Sequence, residues 1–132
     1  MICYEFAGAF APAILDGTKR QTMRRPEGRH VPAAHEKIAL ISGAQVLGIA
    51  TVMRVRLVGL TIRPDGAAVV CFDGFFEEEE DAIARAEGFA DEYEMGAWFA
   101  AHYRIERGQT RAFLMIEWAL DERRSECKTD PT

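Results

Sequence analysis

In AILDGTKRQTMRR, residues 13–25, a short apolar helix pattern stops at a glycine and a basic run begins. Upstream, Pro12 suits a first helical turn, Ile14 and Leu15 supply an inward face, and Gly17 suits the position just past a helix end. Downstream, RQTMRR reads as extended. Thr22 and Arg24 then share one face, and Gln21, Met23 and Arg25 the other. The run and its continuation carry Lys19, Arg20, Arg24, Arg25 and Arg29 against a single acid, Glu27, in a chain whose formal net charge is -5. A solvated basic loop and a cleft that faces an anion both fit this asymmetry, and charge by itself leaves both open.

The neighbouring segments supply the rest of the fold. ICYEF, residues 2–6, is a short strand and EGRHVPAAH a loop. KIALI and VLGIATVMRVRLVGL form two strands joined by SGAQ, with Arg54 and Arg56 alternating with Met53, Val55 and Leu57 to give one wet face. AAVVCFD follows the turn RPDG. TRAFLMIEWAL is a last strand, with Ala112, Leu114, Ile116, Trp118 and Leu120 on one face. Between these two strands lie two helices. EEEEDAIARAEG has acids in its first turn and Gly88 at its end. DEYEMGAWFAAHY starts at Asp91 as N-cap with Glu94 three residues on, and carries the stripe Met95, Trp98, Phe99 and His102, read as facing the core. About six strands and three helices predict an α+β domain over 1–120, a small mixed barrel with helices over an end or side. Residues 121–132 read as a polar, disordered tail.

Composition narrows the function classes. The 132 residues, 48% hydrophobic and 28% charged, describe one soluble globular domain with a sizeable core. No apolar run spans a bilayer, so no membrane partner is expected, and MICYEFAGAF lacks a basic start and carries Glu5, so it does not read as a signal peptide. Cys3, Cys71 and Cys127 are far apart and odd in number, which suits reduced thiols in the cytoplasm, with Cys71 as a small core residue. A pI near 5.2 argues against a broadly basic DNA-binding surface but leaves room for a small polyanion site. His30, His35 and His102 do not form a metal pattern, and no cofactor is expected.

GTKRQTMRR resembles the GxKxxTxR signature of the ASCH family in the PUA-like β-barrel superfamily. The later EGF step, ahead of DEYEMGAWFAAHY, and the order of strands are similar too. The resemblance runs over nearly the whole chain. It implies a PUA-like barrel and a site built from the signature lysine and threonine with a later glutamate. In this sequence these are Lys19, Thr22 and Glu87, the set that resembles the catalytic groups of N4-acetylcytidine amidohydrolases. Arg20, Arg24, Arg25 and Arg29 are then the expected substrate- or anion-binding residues.

Elementary chemistry bears on the same residues. Thr22 is a weak nucleophile and needs a base. Lys19 can be that base only if its pKa falls toward neutrality, a direction in which neighbouring arginines push it. Glu87, at a helix C-terminus, sits where the dipole disfavours a carboxylate, and a raised pKa suits a proton donor. The expected partner is RNA, a nucleotide or a modified nucleoside, handled by amide hydrolysis. Alternatives are a non-catalytic RNA- or nucleotide-binding module and a ribonuclease. Tyr103, Trp98 or Phe75 could stack a base.

Overall fold

The computed structural model describes residues 1–28, 30–72, 75–76 and 80–123. Among these, seven strands and three α-helices form an α+β fold around one mixed sheet. Strand β1 (Ile2–Glu5) leads through a 3-10 turn at Gly8–Phe10 into helix α1 (Ala11–Asp16), which Pro12 opens and Gly17 ends with φ 86°. The signature run becomes β2 (Gln21–Arg24). β3 (Lys37–Ser42) and β4 (Gln45–Ile62) form a hairpin through Gly43 at φ 59°. β5 (Ala68–Phe72) and the short β6 (Phe75–Phe76) follow. Helices α2 (Glu80–Glu87) and α3 (Glu92–Tyr103) then precede β7 (Thr110–Arg123).

The 18-residue β4 organises the sheet. β7 runs antiparallel along one of its edges from Gly48 to Thr61. The other edge is shared: β3 pairs with its first half and β5 with its last turn of residues, Val58–Ile62. β1 adds to β3 in parallel, and β2 hangs on the far side of β7. The recorded pairings do not close this sheet on itself.

Apolar residues separate into two cores on opposite faces. One packs Val58, Leu60, Ile62, Val70, Phe72, Phe113 and Met115 under Ala84, Met95 and Phe99 of the two later helices. The other packs Tyr4, Phe6, Ile38, Leu40, Val52, Ile116 and Trp118 under Ile14 of α1. β7 therefore buries both faces, Phe113 and Met115 on one side and Ile116 and Trp118 on the other, where a single apolar face was expected. A strand buried on both sides has no polar alternation to display.

Two further expectations change. In central β4 Arg54 is exposed as expected, but so are Met53 and Leu57, at 54% and 62%, whereas Arg56 is half-buried against the Phe72 ring at 3.9 Å. A bulge between Val52 and Arg54 skips Met53 and re-phases the pleat, so Arg56 shares its face with Val58, Leu60 and Ile62. The domain also runs past residue 120. β7 continues to Arg123, and Asp121 pairs with Lys37 and Thr51 across the sheet. The disorder expected for 124–132 lies outside the described residues.

Helix α3 starts as the sequence indicates. Asp91 accepts hydrogen bonds from Tyr93 N (3.0 Å) and Glu94 N (2.8 Å), and Glu94 reaches back to Ala90 N at 3.2 Å. The helix lies so close to the Arg63–Gly66 turn that a Cβ at Gly96 would overlap the Gly66 carbonyl oxygen and sit 2.9 Å from Ala68 N.

Candidate functional site

Lys19 leaves the helix end at Gly17 and turns inward instead of into solvent. Its Nζ donates to Gln21 O at 2.9 Å and to Glu87 O, and lies 3.6 Å from Glu87 Oε2. Glu87 is the last residue of α2. Its Oε1 accepts from Gln21 Nε2 at 3.1 Å and its Oε2 from Met23 N at 3.0 Å. Thr22 Oγ1 accepts from Arg24 Nε at 3.0 Å, while the same guanidinium donates to Glu5 O at 2.8 Å. Lys19, Thr22 and Glu87 are 2%, 4% and 3% exposed, which makes them, with Gln21, the buried polar residues of the described chain.

All three face one cavity of about 130 Å³, together with Arg24. Its other walls are mostly aromatic: Phe6, Phe10, Phe89, Trp98, His102 and Tyr103. The cavity sits at the seam of the two cores, and Phe10 packs against both. Lys19 Nζ is 4.9 Å from the Phe10 ring centre and 5.3 Å from that of Phe6, so aromatic faces solvate the ammonium in part. Gly88 makes room for it. This residue has φ +106°, and a Cβ there would stand 2.9 Å from Lys19 Cδ and 3.0 Å from Phe10.

Burial dominates the electrostatics. It pulls the Lys19 pKa below the ordinary lysine value; the Glu87 carboxylate opposes the fall and Arg24 adds to it. Burial likewise pushes Glu87 above the ordinary glutamate value, against the charge of Lys19 and the hydrogen bonds from Gln21 and Met23. Neighbouring arginines and the helix dipole predict the same two directions. In the structure the main cause of both is removal from water. Lys19 also has a notable donor count. Two N–H bonds of Nζ go to the Gln21 and Glu87 carbonyls, and the third faces the Glu87 carboxylate, whose Oε2 is 3.6 Å away.

The expected arginines separate. Arg24 lines the cavity, its guanidinium 4.8 Å from the Phe6 ring centre. Arg25 is exposed and lies 5.2 Å from the ring centre of Tyr103, a cavity wall. Arg20 does not join them. It precedes β2, its N donates to Ala86 O (2.8 Å), its carbonyl accepts from Trp118 N (3.0 Å), and its side chain lines a groove beside Gln21 and Glu117. Arg29, and the side chain of Phe75, lie outside the described residues.

The stripe on α3 divides as well. Met95 and Phe99 are core, as expected. Trp98 and His102 line the cavity, with rings stacked at 4.4 Å and 10° between planes. His102, Phe6, Phe10, Phe89 and Gln21 were not anticipated as site residues. Aromatic cavity walls and aromatic core residues look alike in a sequence, and only the Met95–Trp98–Phe99–His102 spacing offered a signal. Among the described residues no group of three or more His, Cys, Asp or Glu could hold a metal ion, and no helix is long and apolar enough to cross a membrane. No model of a known protein family matches the chain, and no curated protein matches it.

Proposed function

We propose that this chain is an ASCH-like domain with a PUA-like barrel architecture, and that it binds a modified nucleoside or nucleotide base in the Lys19–Thr22–Glu87 cavity and hydrolyses an amide on it. N4-acetylcytidine is the type of substrate. The observation that carries the reading is the convergence of a buried lysine and threonine from the β2 stretch and a buried glutamate from the end of α2 on one aromatic-walled cavity. Burying ionisable groups is costly, and such clusters in a cavity mark functional sites more often than structural ones.

In this reading the base enters among Phe6, Phe10, Trp98 and Tyr103. A proton shift from Lys19 to Glu87 frees the amine lone pair; Thr22 Oγ1 then attacks the acyl carbonyl carbon, and Lys19 takes the hydroxyl proton. Arg24, already bonded to Thr22 Oγ1, faces the oxygen that becomes negative. The C–N bond breaks as the Lys19–Glu87 pair returns a proton to the leaving amine, which gives the free exocyclic amine and an ester on Thr22. Water then hydrolyses the ester, releasing the acid and restoring the hydroxyl.

The test compares Thr22→Val and Thr22→Ser with the parent on N4-acetylcytidine, with product measured by chromatography and affinity on the same samples. Valine keeps the shape and should retain binding while turnover falls by on the order of 10²–10⁴-fold. Serine should recover much of it. Parental turnover by Thr22→Val refutes the assignment. Binding by the parent without turnover, from mildly acidic to mildly basic pH, replaces the enzyme with a nucleoside-binding module. The stacked Trp98–His102 pair supports that second reading, since it offers a ring face to a base whether or not chemistry follows.

A further inference from the structure

By strand alternation Gln21 belongs to the face of β2 opposite Thr22 and Arg24. Its side chain is 5% exposed and lines a groove on that face, beside Ala82 and Ala86 of α2. It nonetheless meets both members of the buried pair. Its Nε2 donates to Glu87 Oε1 at 3.1 Å, and its main-chain oxygen accepts from Lys19 Nζ at 2.9 Å.

The two bonds fix geometry and charge together. Gln21 occupies Oε1, which leaves the other oxygen, Oε2, to Met23 N at 3.0 Å and to Lys19 Nζ at 3.6 Å. A carboxylate held at both oxygens does not turn about its last side-chain bond, so the oxygen that faces the amine is set. An amide N–H also favours the ionised carboxylate over the neutral acid, and a carbonyl oxygen favours the ammonium that donates to it. Both bonds therefore keep the shared proton on Lys19 Nζ. Burial, which pushes the Glu87 carboxyl up, acts the other way. An amide does not titrate, so its bias is the same at every working pH. A lysine or arginine at this place would add a full charge and lock the carboxylate in its ionised form.

We propose that Gln21 is the positioning residue of the Lys19–Glu87 pair: it aims Glu87 Oε2 at the amine and holds the shared proton on Lys19. In the hydrolysis proposed above, on which its catalytic meaning rests, it sets the cost of the transfer from Lys19 Nζ to Glu87 Oε2 that frees the lone pair. It acts through the pair and not on the substrate. Among the described residues the other charged or titratable groups around Glu87 are Arg24 on β2, and Glu5 and His102 across the cavity from β1 and α3. β5, also packed against α2, carries no charged residue. All of these are the same in the proteins compared below.

The experiment follows the side-chain carboxyl ¹³C resonance of Glu87 with pH, on the full chain, assigned by its loss in Glu87→Gln. The proteins are the parent, Gln21→Met, Gln21→Asn and, as a control, Asp91→Ala. Methionine keeps the length and the main-chain carbonyl and removes the donor. Asparagine keeps an amide but withdraws it, and decides the question if the methionine variant does not fold. Asp91→Ala weakens the fold at the cap of α3 without touching the pair. Loss of one hydrogen bond to a charged group should move the Glu87 titration up by about one to two pH units in Gln21→Met. Gln21→Asn should move it the same way, and Asp91→Ala should leave it in place. The pH–rate profile on N4-acetylcytidine should shift upward by the same interval with little change in KM, which a merely destabilised fold would not produce. Titration at the parental pH in the Gln21 variants, or an equal shift in Asp91→Ala, overturns the proposal. A shifted titration with an unmoved pH–rate profile overturns its catalytic part. If the parent does not turn over N4-acetylcytidine, the hydrolysis reading fails, and the titration still decides whether Gln21 holds the pair.

Discussion

Lys19→Met removes the ammonium of the buried pair and keeps most of its volume. Glu87 then holds a carboxylate that is 3% exposed, with Gln21 Nε2 and Met23 N as its remaining donors. Breaking a buried ion pair from one side costs ~3–5 kcal/mol, because the orphaned charge stays out of water. With a urea dependence of ~2 kcal/mol per molar for a domain of this size, the unfolding midpoint should drop by roughly 2 M at neutral pH. The deficit should depend on pH in one direction. The folded-state pKa of Glu87 is raised, so the stability this group lends is fully present below the unfolded value of about 4.3 and is lost as pH rises through the folded one. Removing Lys19 raises the folded value further. The gap between parent and variant should therefore be small in mild acid and widen toward neutrality. Urea unfolding followed by tryptophan fluorescence at both pH values is the assay. A neutral-pH loss under ~1 kcal/mol, or an equal loss at both pH values, would refute the claim that an unscreened charge pair lies at the centre of this site.

Gly96→Ala places a methyl group against the Gly66 carbonyl and Ala68 N, and should destabilise by at least ~1–3 kcal/mol, read as a lower melting temperature. Asp91→Ala leaves Tyr93 N and Glu94 N without their cap and should cost ~1 kcal/mol, with faster amide exchange confined to the first turn of α3.

The readable part of this fold is where periodicity and punctuation agree. Gly17 and Asp91 mark helix boundaries because a left-handed turn and an orphan N–H pair need those residue types. β2 was legible as a strand, and Thr22 and Arg24 do share a face. Two features were not legible. The bulge at Met53 has no sequence marker, and it re-phases the pleat of β4 so that Val52 and Val58 fall in different cores. The run Phe113–Ile116 has no alternation because both cores claim it, so one periodicity could not serve. At the site, the burial of Lys19 and Glu87 came from the resemblance, not from residue type. Lysine and glutamate in a polar run ordinarily point outward. Gln21, which holds Glu87 in place, looks in the sequence like any strand residue. The outward turn of Arg20 comes from backbone bonds to Ala86 and Trp118, contacts that only the tertiary fold supplies.

The bonds that seat Lys19 and Glu87 have another consequence. β2 has one neighbouring strand, β7, so the backbone groups on its other side would form an open sheet edge. Two of them, Gln21 O and Met23 N, belong to residues i and i+2 of the strand and so lie on the same side, as the acceptor and donor of a ladder would. Lys19 Nζ fills the first and Glu87 Oε2 the second. The two side chains occupy the place that a further strand would take, and so deny the edge to another chain. Their removal would alter more than chemistry in the cavity: it would leave Gln21 O and Met23 N without these partners at a short β-edge beside aromatic side chains.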